Sequence, residues 1–375
     1  MSYALGSEPS KPGAYQFTVD QCDVEPEARN ALQSFRDKRR NWLVCMETDE
    51  YAIWRTISDM VWSDMSFRTI AMIAEKNSDS PIHNQLLTQS LIAGYFATQV
   101  LGVRRVIDTT KGTISLFHLL NDIKRSLGLF TRENFVCFDG LPYDCQATEV
   151  RVMQAVVSRP RDKVGLWMPS SGPDAWRQSK LAHEQFDRLA GIKPEDRKRN
   201  DRLPKKVVTR LESWLGEGDI EQLVLWSHVN LAHASMPSSS TRAALGDEGP
   251  TLRKISDAIR VFARVSEAIS AILLRHSGRG MLVAIAQFDQ FERLDFPDGG
   301  RPALDAFWEQ LSKERNGYLD GVEAALLRPQ EQQVTDMPRP AYVEALARAV
   351  GNPQEVDRLT EAEAMQVLKE IKEGR

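Results

Sequence analysis

The sequence predicts an all-α fold: a helical bundle built on long antiparallel helical hairpins, with a small C-terminal helical appendix. Apolar residues recur at three and four spacings, as in Trp54, Ile57, Val61 and Met65 and then in Ile70 and Ile73, which is the helical period and not the alternation of a strand. Residues suited to helix starts precede such stretches, notably Ser80 before Pro81, and Ser115. Long periodic stretches are joined by short breaks, which folds neighbours back on each other.

Taken in order, residues 1 to about 28 are rich in Pro, Gly, Ser and acids and too poor in apolar side chains to pack alone. They belong to an N-terminal arm over 1–40. A first core helix is expected over about 50–76, and a second through "IHNQLLTQSLIAGYFATQVLGVRRVID". A break at Lys111-Gly112 and the Ser115 cap open a third helix that ends near Gly128. "FVCFDGLPYDC" is turn-rich and the one place for a short hairpin.

"SSGPDAWRQSKLAHEQFDRLAGI" is the next helix, "KPEDRKRNDRLPKK" a charged connector and "VVTRLESWLGEGD" another helical stretch. Asp219 with Gln222 three residues on resembles a capping box, opening a helix that stops at Met236-Pro237. After the flexible link "SSSTRAALGDEGP" comes the amphipathic helix "TLRKISDAIRVFARVSEAISAILLRH". "MLVAIAQF" reads as helix or strand, and "ALDAFWEQLSKERNGYLDGVEAALL" as the last helix of a domain spanning 41–328. The linker "RPQEQQVTDMPRP" precedes the appendix, residues 341–375, with two short charged helices.

The chain has 375 residues, 42% of them hydrophobic, ample for a core without staples. Its four cysteines are scattered, with neither a CxxC pair nor zinc-finger spacing, so reduced thiols in a cytoplasm are expected. The start lacks the basic and apolar segments of a signal peptide, and no run approaches about 18 apolar residues, so a soluble, cytoplasmic protein without a membrane partner is expected. A net charge of −4 argues against a general nucleic-acid coat but leaves room for a local basic patch.

No G-x-S-x-G, G-x-G-x-x-G, P-loop or H-E-x-x-H occurs. The informative stretch is "LWSHVNLAHASMPSSS", an apolar helix that carries His228, Asn230 and His233. Five residues put the two histidines about 140° apart on a helix, which disfavours a metal pair; no metal and no cofactor is expected. Ser227, Asn230 and His233 follow at three-residue steps as an oblique polar line on a helix otherwise apolar around its circumference. They either hydrogen-bond across the bundle or present His233 to a cleft as a general acid or base.

In "VRRVID", Arg104 and Arg105 are four and three residues from Asp108 and can pair with it; an arginine turned inward instead can hold a phosphate bidentately. Residues 193–210 hold eight Lys or Arg against three acids, a local +5 that includes Lys205, Lys206 and Arg210. That is a solvated connector or a patch guiding RNA by its phosphates.

A helical hairpin ending in "VLGVRRVIDTTKGTISLFHLL", followed later by "HVNLAHAS" before a serine-rich break, resembles the HEPN superfamily, especially its AbiU-like abortive-infection branch. The likeness covers about residues 50–275. It implies a helical, often homodimeric protein and, in many members, a metal-independent ribonuclease whose hallmark is an Arg followed four to six residues later by a His. The His falls on His233; the Arg falls on Ser227 or His228, neither of which is Arg.

The resemblance therefore implies a ribonuclease or toxin of a prokaryotic defence system. His233 would be acid or base, His228 or Arg105 the phosphate stabiliser and Asn230 the orienter, with Arg104, Lys205, Lys206 and Arg210 holding RNA. The alternative is a non-catalytic helical binding or scaffold protein that keeps the fold without the arginine. A homodimer, RNA and a protein encoded by a neighbouring gene are the expected partners.

Overall fold

A computed structural model describes residues 14–48, 52–77, 79–157, 169–232, 249–276, 279–283, 290–292 and 300–327. Among them the regular structure is helical, and the one β-bridge joins Thr131 to Arg202. Met1–Leu326 forms one unit and Leu327–Arg375 a second. The expected stop at Met236-Pro237, the serine-rich link up to residue 248, residues 284–288 of "MLVAIAQF" and the appendix 341–375 lie outside the described residues.

The helices are α1 (Arg29–Leu43), α2 (Ile53–Lys76), α3 (Gln85–Val106), α4 (Leu116–Arg125), α5 (Arg132–Cys137) and α6 (Cys145–Val157). They continue with α7 (Trp176–Ala190), α8 (Lys205–Leu215), α9 (Ile220–Ser227), α10 (Leu252–Glu267), α11 (Gly300–Asn316) and α12 (Val322–Leu327). π-turns extend α1 over Val44–Thr48, α9 over His228–Ala232 and α10 over Ala268–Leu273.

α2 and α3 form the expected antiparallel hairpin. Tyr95 Oη donates to Asp64 Oδ1 at 2.7 Å and Gln99 Nε2 to the Met60 carbonyl at 2.9 Å, so α3 descends as α2 rises. Ser80 caps only a short 3-10 turn, Pro81–His83; Asn84 then caps α3 through the Leu86 and Leu87 N–H groups. α9 packs along α3, α10 against α2, α3 and α8, and α11 against α2, while α5 and α6 pack on α7.

By length and composition α3 is apolar enough to cross a membrane, which the absence of an unbroken apolar run had hidden. Its Tyr95 hydroxyl and the Gln99 side-chain amino group nevertheless donate hydrogen bonds inside the bundle. Leu86, Leu87, Ile92 and Leu101 stay exposed on it.

Three expectations are corrected. The arm is packed from Tyr15 onward: Tyr15 Oη donates to the Arg36 carbonyl at 2.8 Å, α1 buries Leu32 and Phe35, and Phe17 wedges against Gly140 and Gly172, both at positive φ. A Cβ on Gly140 would lie 2.5 Å from the Phe17 ring, so that position needs glycine for space as well as for conformation. The "FVCFDGLPYDC" hairpin does not form, because Thr131 caps α5 through the Asn134 N–H and the chain runs helically to Cys137. Asp219 adopts a left-handed backbone (φ 57°) and makes no side-chain cap bond, so the capping box at α9 is absent.

Two arginines, the buried Arg39 and the half-buried Arg275, close helix ends where lone carbonyls remain. Arg39 Nε donates to the Leu274 carbonyl at 2.7 Å beyond α10, and Arg275 Nη1 to the Phe135 carbonyl at 2.7 Å in α5. These contacts tie α1, α5 and α10 together without a carboxylate.

Candidate functional site: a four-helix cleft

A cleft of about 650 Å³ opens between the C-terminal end of α3, the start of α4, the end of α8 and one face of α9. Each wall is a short helical pattern. α3 brings Arg104, Ile107 and Asp108, α4 brings Phe117, Leu120 and Asn121, and α8 brings Glu212, Leu215 and Gly216, all at steps of three and four. α9 contributes Ile220, Glu221, Val224, Leu225 and His228, which share a helix face because each follows another by three or four residues. The walls are largely aliphatic, and Phe117 among them is 41% exposed.

The polar groups differ in how far they are committed. Both oxygens of Glu212 accept from Lys124 Nζ, at 2.8 Å each, which neutralises that wall. Asp108 Oδ1 accepts from the Thr110 N–H at 2.8 Å. Burial pushes the Asp108 carboxyl up, but the Thr110 bonds, with Arg104 and His118 nearby, outweigh it and hold the group below the usual carboxylate range. Asp108 is therefore a carboxylate at neutral pH, facing the same cleft as the half-buried Arg104. Glu221 is exposed in the first turn of α9.

Of the residues singled out in the sequence, the cleft gathers Arg104 and His228, from helices 124 positions apart. Arg105, one residue round α3, is exposed and does not line it. Asn230 is exposed, and its amide donates to the Trp226 carbonyl of its own helix at 3.1 Å. Ser227 is buried and donates to the Val224 carbonyl at 2.7 Å. Among the described residues both bond only within their own helix. Lys205, Lys206 and Arg210 line a different part of α8, none of them in the cleft. His233 lies outside the described residues.

The expected polar line thus gives way to its neighbour. His228 is exposed on the cleft side of α9. Regular α-helical arithmetic also ends at Ser227, since residues 228–232 form a wider π-turn.

One step of six residues from Arg to His does occur, Arg177 to His183 on α7, and the fold separates the two. Arg177 is exposed, whereas His183 is 3% exposed and about 120° round the helix. Glu221 and Phe117 were not apparent as site residues from sequence; the signal available was their membership of cleft-facing helical triads. Among the described residues, no group of three or more His, Cys, Asp or Glu side chains is placed to share a metal ion. No family model, no curated protein and no solved structure matches the chain.

Proposed function

We propose that the chain is a HEPN-like helical protein of a prokaryotic defence system that acts in the cytoplasm as a metal-independent endoribonuclease, with the four-helix cleft as its site. The observation that carries this reading is the convergence of Arg104 and His228 on one cleft. A guanidinium beside the scissile phosphate stabilises charge on its non-bridging oxygens, and an imidazole can take the proton of the 2′-hydroxyl. The O2′–P bond forms, the P–O5′ bond breaks, and the 5′ oxygen leaves with a proton, yielding a 2′,3′-cyclic phosphate.

The test is incubation of RNA with the purified chain in EDTA, with the new ends analysed. Arg104→Ala and His228→Ala are each expected to lower cleavage at least about tenfold with unchanged melting curves, a loss of about 1.4 kcal/mol of transition-state stabilisation. Cleavage equal to that of the parent chain in both variants sinks the assignment.

A second reading, a non-catalytic helical binding protein, is favoured by the aliphatic walls and the three carboxylates of the same cleft. It predicts no RNA turnover at any protein concentration.

We also propose a homodimer, supported by the exposed Leu86, Leu87, Ile92 and Leu101 of α3, which a second copy would cover. Light scattering is expected to read twice the chain mass and to fall to one mass in Leu87→Asp. A monomer at micromolar concentration would refute it.

A further inference from the structure

The carboxylates of the cleft pose a problem that phosphate binding alone does not answer, because Asp108, Glu212 and Glu221 repel an RNA backbone. Glu212 is neutralised by Lys124 and Asp108 is occupied by Thr110. Glu221 has no hydrogen bond or ion pair among the described residues, and its place on α9 is specific. It precedes His228 by seven residues, α9 is regular up to Ser227 and both residues line the cleft, so they lie about two turns, roughly 10 Å, apart along the helix. That is the span of one nucleotide, from the hydrogen-bonding edge of its base to its phosphate. Between them lie Val224 and Leu225, and the part-exposed Phe117 lines the same cleft.

We propose that the cleft seats one unstacked guanine of a single-stranded RNA. Its N1–H and N2–H donors meet the Glu221 carboxylate, its ring lies on Phe117 and the aliphatic wall, and its phosphate lies toward Arg104 and His228. The proposal rests on the reading of the protein as RNA-handling. Guanine is the base that fits, because it alone presents two adjacent donors to one carboxylate. Adenine and cytosine offer one exocyclic amine beside an acceptor, and uracil one N–H between two carbonyls. A single strand is required because a duplex buries that edge in pairing, whereas a splayed base can stack on an aromatic ring and expose it. The cleft volume lies within the range of sites that enclose small ligands.

The experiment is fluorescence anisotropy of the full chain with labelled pentamers of uridine, carrying guanine, adenine, cytosine or uracil at the centre. The guanine pentamer is expected to bind about tenfold or more tightly than the all-uridine one. Glu221→Gln is expected to bring the two within about twofold, and Phe117→Ala to weaken all four pentamers. Arg104→Ala is likewise expected to weaken all four without changing their order. Equal affinity for guanine and uracil in the parent chain, or a preference that survives Glu221→Gln, overturns the guanine assignment while leaving an RNA protein. Failure of every pentamer to bind overturns the RNA reading itself. Displacement of a bound pentamer by a basic amphipathic peptide that binds more tightly than any RNA would assign the cleft to a protein partner and overturn both.

Discussion

Asp64→Asn is expected to lower the stability of the chain by about 3–5 kcal/mol, read as a lower urea midpoint at an unchanged slope. Asp64 is fully buried in the middle of α2 and neutralises a helix far away in sequence. Its Oδ2 accepts from Arg315 Nη2 at 2.7 Å and Nε at 3.2 Å, and its Oδ1 from Tyr95 Oη at 2.7 Å and Arg68 Nε at 3.0 Å. Asparagine keeps the shape but removes the charge and turns one acceptor into a donor, leaving Arg315, 1% exposed, as a buried cation.

Burial pushes the Arg315 guanidinium down, and Tyr318 and Asp64 more than offset it; once Asp64 is lost the group still does not escape by losing its proton, because a guanidinium stays protonated in proteins. Its remaining carboxylate partner, Glu314, is largely exposed and too well screened to substitute. By contrast, breaking the exposed Arg301–Asp305 pair should cost under about 1 kcal/mol. A double variant, Asp64→Leu with Arg315→Met, should recover much of the loss because it removes both charges. A single-variant cost below about 1 kcal/mol, or a double variant no better than the sum of its parts, would refute this account.

Asp64 also marks the limit of what could be read along the chain. The α2 helix was legible because its apolar residues keep helical spacing over six turns, and the same pattern concealed one carboxylate among them. Its counter-ion lies 251 residues away in α11, and no local signal links the two. The cleft was half legible for a related reason. Arg104, Asp108 and His228 carried recognisable chemistry, but which side of α9 faces a cavity depends on where α3, α4 and α8 pack. The polar line of Ser227 and Asn230 misled because serine and asparagine can bond carbonyls of their own helix, and both do. Glu221 resembles an ordinary first-turn acid of a helix, favoured there by the helix dipole, until Phe117 and His228 are placed around it.

The second large effect concerns acid. His183 on α7 is buried, with Nε2 2.8 Å from the Tyr143 carbonyl, so the proton sits on Nε2 and Nδ1 is left as a buried acceptor without a hydrogen-bond partner. A second proton would go to Nδ1, beside the cations Arg132 of α5 and Arg197, which ion-pair Asp187 one helical turn along α7. Burial, followed by the repulsion of Arg197 and Arg132, outweighs the Tyr143 bond and the attraction of Asp187, and the imidazole is pushed down to about 4. In the unfolded chain it titrates near 6.5.

The sign follows from proton uptake: between these values the unfolded chain binds a proton that the folded chain refuses, so the contribution is complete above about pH 6.5 and is lost as pH falls toward 4. The loss approaches about 3 kcal/mol across that window. Asp187 adds to it at lower pH: burial raises its carboxyl, Arg197 and Arg132 more than reverse this, and the stability it brings fades only as the carboxylate protonates.

His183→Gln separates the two contributions, since its amide can still donate to the Tyr143 carbonyl but has no proton to gain. Urea midpoints measured from pH 7 to pH 4 should fall steeply in the parent chain and less steeply in His183→Gln, the curves converging toward pH 4. Parallel curves would mean that His183 takes up its proton equally in both states, and that the acid sensitivity of the fold lies in its carboxylates.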